Sequence, residues 1–298
     1  MQRREPFQVH LIVLDDGERL AMLVDDTGMP IYFPALFITT QVRNAGRSAN
    51  TISAYLSAIK RLYQWAHTSG VDLERRLSTR SYLTDPELES LSSSVGRRIR
   101  GRSLGSNRLE ELEYRKTRFN RRKGQILSHG KYRNLTYIGI YLSWLAARLA
   151  ERAAGKIDQP ARGAIKDMVE AIEAKRPRRA RRTIANAPKG LDHTEESRLL
   201  SYVSEQVSRE PEGALACRNE LIVHLLLKLG IRAGELLALR VTDFDLQRNE
   251  VLVARRPDDE ADKRRHQPTA KTCDRLLPIC IYRSIAFDAR EGGLSLSS

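Results

Sequence analysis

Residues 218–253 read RNELIVHLLLKLGIRAGELLALRVTDFDLQRNEVLV, and the fold of the C-terminal half turns on this stretch. Apolar side chains fill Leu221–Leu229 except at His224 and Lys228, which predicts a strongly apolar helix over Arg218–Leu229. Gly230 closes it. Ala233–Leu239 predicts a short second helix that starts straight after Ile231-Arg232. Val241–Phe244 and Val251–Ala254 predict strands either side of a turn at Gln247-Arg248-Asn249. Arg232 therefore lies at a helix junction, a charged residue among aliphatic neighbours. A guanidinium at a helix N-terminus adds a fork of donors to the helix dipole, and the combination suits a phosphate oxygen. Glu235, three positions on, is placed to orient the arginine by a hydrogen bond. The same two residues would also serve as a purely structural ion pair bracing the junction. The pattern leaves both open.

Upstream, Leu191–Glu196 predicts a helix start, with Asp192 or Thr194 as the cap and acidic residues in the first turn. Before it comes Lys175-Arg176-Pro177-Arg178-Arg179-Ala180-Arg181-Arg182, which combines six positive charges with a helix-breaking proline and no apolar pattern. It is the best domain boundary in the chain, a hinge over 175–189. Helical periodicity marks Asn134–Ala153, with Leu135, Ile138, Tyr141, Leu142, Leu145, Ala146 and Leu149 as the buried stripe. It also marks a shorter segment near Ala161–Ala174. A further helix spans Ser48–His67, capped by Ser48 or Asn50, with Lys60 and Arg61 on its polar face. Residues 7–40 alternate as strands do, with turns at Asp16-Gly17 and Thr27-Gly28. They predict a β-rich arm over 1–45, with strands in FQVHLIVL, RLAMLVDD and MPIYFPALFI. A second domain over 190–298, with a strand in Pro268–Pro278, would follow a helical domain over 46–174. The fold class predicted is mainly α with a small antiparallel sheet.

Charge decides the partner class. The chain carries 51 Lys and Arg against 37 Asp and Glu, a net charge of +14 in 298 residues. Self-repulsion on that scale points to a polyanion. The basic residues also cluster. Arg97, Arg98, Arg100, Arg102, Arg108, Arg115, Lys116, Arg118, Arg121, Arg122 and Lys123 crowd one glycine-broken stretch. Each phosphate that such a stretch neutralises releases counterions. Double-stranded DNA is the expected partner, contacted by Lys60, Arg61, Arg97, Arg98, Arg100, Arg102, Arg118, Arg121, Arg122, Lys123 and the hinge residues Arg178, Arg179, Arg181 and Arg182. No apolar run approaches the roughly 20 residues of a membrane span, and no signal core follows MQRREPF, so a cytoplasmic location without a membrane is expected. Cys217, Cys273 and Cys280 have no CxxC spacing, which argues against a zinc site or a disulfide framework.

The 218–253 stretch resembles the first catalytic segment of the tyrosine-type site-specific recombinases, the phage-integrase family. There an apolar helix leads into Gly-hydrophobic-Arg, an acidic residue three positions on, Leu-Leu-x-Leu-Arg, and a Val-x-Asp-hydrophobic-Asp pattern like Val241–Asp245. Thr269–Pro278 resembles the family's hairpin, with its Lys-Thr-x-x-x-Arg-x-hydrophobic-Pro. ANTISAYLSAIKRLYQWAHTSG is similar, less specifically, to the first helix of the family's core-binding domain. The resemblance covers about residues 48–278. It implies that Arg232 contacts the scissile phosphate, Glu235 supports it, and Lys271 acts as general acid toward the leaving 5′-oxygen. It implies strand breakage and rejoining through a tyrosine-phosphate intermediate, no metal or other cofactor, and self-association on DNA.

The sequence also departs from that family. No histidine lies in a His-x-x-Arg pattern, and Tyr282 is the only tyrosine after Lys271, eleven positions on. These departures predict a C-terminally truncated chain, catalytically incomplete. Two other functions compete with it: a catalytically dead module that holds recombination sites or interferes with intact integrases, and a metal-dependent nuclease using Glu235, Asp243 and Asp245. The resemblance instead accounts for Asp243 and Asp245 as structural residues of its Val-x-Asp-hydrophobic-Asp pattern, which weakens the nuclease.

Overall fold

The computed structural model describes residues 5–97, 128–178, 190–209, 213–256, 258–268 and 273–279. The chain is mostly helical and divides into two compact units. The first comprises residues 1–12 and 19–183, the second residues 13–18 and 184–298.

In the first unit, strands β1 (Phe7–Val13) and β2 (Arg19–Asp25) pair with each other. Helices α1 (Tyr32–Phe37), α2 (Ala49–Ser69), α3 (Leu73–Ser78), α4 (Asp85–Val95), α5 (Ser128–Ala154) and α6 (Gln159–Ala174) follow. The long helices begin and end where the sequence marks them. Ser48 caps α2 by accepting from the Thr51 amide, and Gly70 closes it in the left-handed region at φ 67°. Asp158 accepts from the Ala161 amide to start α6. All seven residues of the stripe on α5, from Leu135 to Leu149, are buried. They meet Ile52, Leu56, Ile59 and Leu62 of α2 and Ile165, Met168 and Ile172 of α6 in one core. Within it the Tyr63 and Tyr141 hydroxyls are 2.9 Å apart and hydrogen-bonded, tying α2 to α5. Helices α3 and α4 are not among the predicted elements, although Thr84 and Glu87 form a capping box at the start of α4.

The predicted third strand, Met29–Ile38, is instead helix α1 continuing into a π-helical turn over Ile38–Arg43. The local chemistry favours the turn. Asp25 Oδ1 accepts from the Thr27 amide, the Thr27 hydroxyl and the Met29 amide, reversing the chain after β2. Pro34 falls in the first turn of α1, where its missing N–H has no intrahelical partner to lose. Phe33, Phe37, Ile38 and Val42 then share a helical face in the core of the unit, alongside Ala21 and Leu23 of β2. A run this apolar does not reveal its period.

The second unit is built on α7 (His193–Arg209) packed against α8 (Ala214–Leu229), followed by the short α9 (Ala233–Ala238). The predicted start of α7 is a full capping box, in which Asp192 Oδ1 accepts from the Glu195 amide and Glu195 Oε2 from the Asp192 amide. Gly230 ends α8 in the left-handed region at φ 60°. Strands β3 (Phe244–Asp245), β4 (Glu250–Val253) and β5 (Arg275–Pro278) form an antiparallel sheet in that order. Leu225, Ile231 and Val253 are its buried core, with Leu236, Phe244 and Leu277 around them. Two strands are shorter than the sequence predicts. Val241–Asp243 is a 3₁₀ turn rather than strand, because the Asp243 carboxylate accepts the Arg240 amide at 2.7 Å while the Asp243 amide returns to the Arg240 carbonyl. A local side-chain acceptor displaces strand pairing there. Of Pro268–Pro278, the described strand is confined to Arg275–Pro278.

Candidate functional site

Glu235 is the centre of the site. It lies in α9, one turn after the Gly230 reversal, and is 1% exposed. An isolated carboxylate buried this deeply would be expensive, so its partners matter. Oε2 accepts from the Arg232 amide at 2.9 Å and from Arg275 Nη2 at 2.8 Å. Oε1 accepts from Arg232 Nη1 and Arg275 Nη1, each at 3.2 Å. Arg275 therefore grips the carboxylate with both ends of its fork, while Arg232 touches it through the backbone and one guanidinium nitrogen. That hydrogen bonding from Glu235 raises the Arg275 pKa. The Arg232 side chain remains 59% exposed although its Nη1 donates to Glu235.

A second buried carboxylate repeats the design five residues beyond the end of α9. Asp243 is 6% exposed and accepts from the Arg240 amide, from Arg256 Nη1 at 3.1 Å and from Arg256 Nη2. Arg256 Nη1 also donates to the Ala238 carbonyl at 3.2 Å, and Arg264 Nη1 to the Leu237 carbonyl at 3.1 Å. Guanidinium groups thus satisfy the open carbonyls at the C-terminal end of α9, where the helix dipole favours cations. Asp262 grips Arg264 in turn and raises its pKa by hydrogen bonding. These pairs hold α9 from behind and leave Arg232 at its front.

The structure brings Arg232 and Glu235 together as the sequence predicts. It adds Arg275 and Arg256, which sequence reasoning missed as site residues, and makes Asp243, offered only as a nuclease carboxylate, the partner of Arg256. A faint signal for Arg275 existed, a lone charge in Arg275-Leu-Leu-Pro278. Arg256 had none. Of the three carboxylates offered for a metal-dependent nuclease, Glu235 and Asp243 are committed to arginines, and Asp245 accepts the Gln247 and Arg248 amides of its own turn. Among the described residues no group of three or more His, Cys, Asp or Glu is placed to hold a metal ion.

Of the predicted DNA contacts, Lys60 is paired with Glu5 at 2.6 Å and Arg61 Nη1 donates to the Arg97 carbonyl at 2.9 Å. Arg97 and Arg178 are exposed. Lys175 pairs with Glu89, and Arg176 lies over the Tyr132 ring at 5.4 Å, so the hinge's first two cations are drawn onto the helical unit. Lys271, Arg98, Arg100, Arg102, Arg118, Arg121, Arg122, Lys123, Arg179, Arg181 and Arg182 lie outside the described residues. Among the described residues no helix is long and apolar enough to cross a membrane. No protein-family model, curated protein or solved structure matches the chain.

Proposed function

We propose that the chain binds duplex DNA as a protein of the tyrosine-recombinase class. Its helical first unit would act as a core-binding domain, and its second unit would carry part of the catalytic fold. Arg232 would contact a backbone phosphate, Glu235 would position it, and Lys271 would stand beside the same phosphate. One observation carries this: Arg232 is anchored through its amide and one guanidinium nitrogen by a fully buried carboxylate, yet its side chain is 59% exposed. A brace alone would need no exposed arginine, because Arg275 already supplies Glu235 with a two-pronged partner. The charge of +14 supports a polyanionic ligand. Self-association on DNA and cytoplasmic location belong to the same proposal.

The test is duplex binding by Arg232→Ala and Arg232→Lys, with helical content followed by circular dichroism. Weaker binding by a folded Arg232→Ala protein, with partial recovery in Arg232→Lys, is expected, since an ammonium keeps the charge and loses the fork. Unfolding of Arg232→Ala would instead make the arginine a brace. A nicked duplex run on a denaturing gel separates the enzyme from the binding module: a covalent protein–DNA band identifies strand exchange chemistry, and retention without it identifies a module that only holds DNA.

A further inference from the structure

Away from Arg232, the first unit gathers four cations from three separate parts of the chain. Arg61 projects from α2 and donates to the carbonyl of Arg97, the residue that follows the end of α4 at Gly96. Lys131 reaches the same place from α5, where its Cδ would lie 3.5 Å from a Cβ added at Gly96. Arg133 lies two residues further along α5 and is exposed. Burial, and then the charge of Arg133, lower the Arg61 pKa. Among the described residues none of the four is ion-paired with a carboxylate. The placement is doubly unfavourable in the absence of a ligand. Arg61 and Arg133 repel each other, and Lys131 stands in the first turn of α5, which carries no acidic residue and where the helix dipole disfavours a cation. An anion would relieve both.

We propose that Arg61, Arg97, Lys131 and Arg133 form a phosphate-binding locus on the helical unit, separate from Arg232. The Arg97 carbonyl holds Arg61 in place, and Arg133 supplies an exposed fork. The phosphate group is either a free phosphate or a phosphodiester of nucleic acid. The second source rests on the duplex-binding proposal above, and the locus itself does not.

The experiment is thermal unfolding of the full chain in sodium phosphate and in sodium chloride at matched ionic strength, for wild type, Arg133→Ala and Arg133→Lys. Wild type is expected to gain a few degrees in phosphate. Arg133→Ala is expected to lose that gain and, by removing the repulsion, to melt about 2 °C higher than wild type in low salt. Arg133→Lys keeps the charge and should behave as wild type in low salt. An equal gain in wild type and Arg133→Ala, or no gain in wild type, overturns the locus. So does an Arg133→Ala protein that melts at or below wild type in low salt. Duplex binding then identifies the source. If Arg133→Ala weakens it several-fold, the phosphate belongs to DNA; if binding is unchanged while the phosphate gain is lost, the site takes a free phosphate. Failure of the whole chain to bind any duplex would overturn the function proposed above and leave the phosphate result standing.

Discussion

At the scale of single residues, the two partners of the Arg232–Glu235 pair are far from equal. Glu235 is buried and holds two arginines, whereas Arg232 is 59% exposed and shares its carboxylate with Arg275. Glu235→Gln should therefore destabilise the second unit by about 3 kcal/mol, the usual cost of removing one member of a buried ion pair. Arg232→Ala should cost no more than about 1 kcal/mol, as exposed pairs do. Chemical denaturation of the two variants checks the ordering, and equal losses would contradict it. Asp243→Asn should resemble Glu235→Gln, since it leaves Arg256 facing a neutral amide. Arg232 and Glu235 were legible in the sequence because three positions on a helix start bring a carboxylate back to the backbone amide. Arg275 was not, because its contact with Glu235 spans 40 positions and depends on β5 lying in register beside β4. The burial of Asp243 was hidden for a different reason, a 3₁₀ turn replacing the alternation of a strand.

At the scale of elements, caps and turns set the boundaries. Gly70 has open space around a notional Cβ, so Gly70→Ala meets no clash and is penalised only by its backbone angle of φ 67°. The expected loss is about 1 kcal/mol, read from the unfolding midpoint of the helical unit. Helix α4 begins at Thr84, whose amide and hydroxyl donate to Glu87. Arg76 grips the same carboxylate, and that hydrogen bond, with help from Thr84, holds the Glu87 pKa at about 2 against an ordinary 4.5. A carboxyl depressed on folding stabilises above its unfolded pKa. This contribution should therefore be complete near neutrality and drain away as pH falls from about 4.5 toward about 2. Glu87→Gln should lower stability at pH 7 and flatten the loss over that window. An unchanged pH profile would contradict the assignment. Helices α2, α5, α6 and α8 were legible because their apolar residues recur at helical spacing between recognisable caps. Met29–Ile38 misled because its side chains are apolar on every face, and the Asp25 turn with Pro34 in a first helical turn decided the outcome. The shortness of α3 left too few turns to show a period.

At the scale of the whole molecule, an excess of 14 positive charges favours a polyanionic ligand. Many of the carboxylates in the second unit are already occupied in internal pairs, such as Glu235, Asp243, Asp259 and Asp262. The positive surplus is thus not balanced within the fold, and part of it is concentrated at Arg232 and at the Arg61–Arg133 cluster. The most direct measurement is the affinity for a duplex of about 30 base pairs as a function of sodium chloride, for wild type and Arg232→Ala. The phosphate-contact account predicts a straight line of log affinity against log salt, falling by roughly three orders of magnitude between about 50 and 200 mM, with a slope shallower by about one in Arg232→Ala. Binding indifferent to salt, or an Arg232→Ala line superimposed on that of wild type, would contradict it.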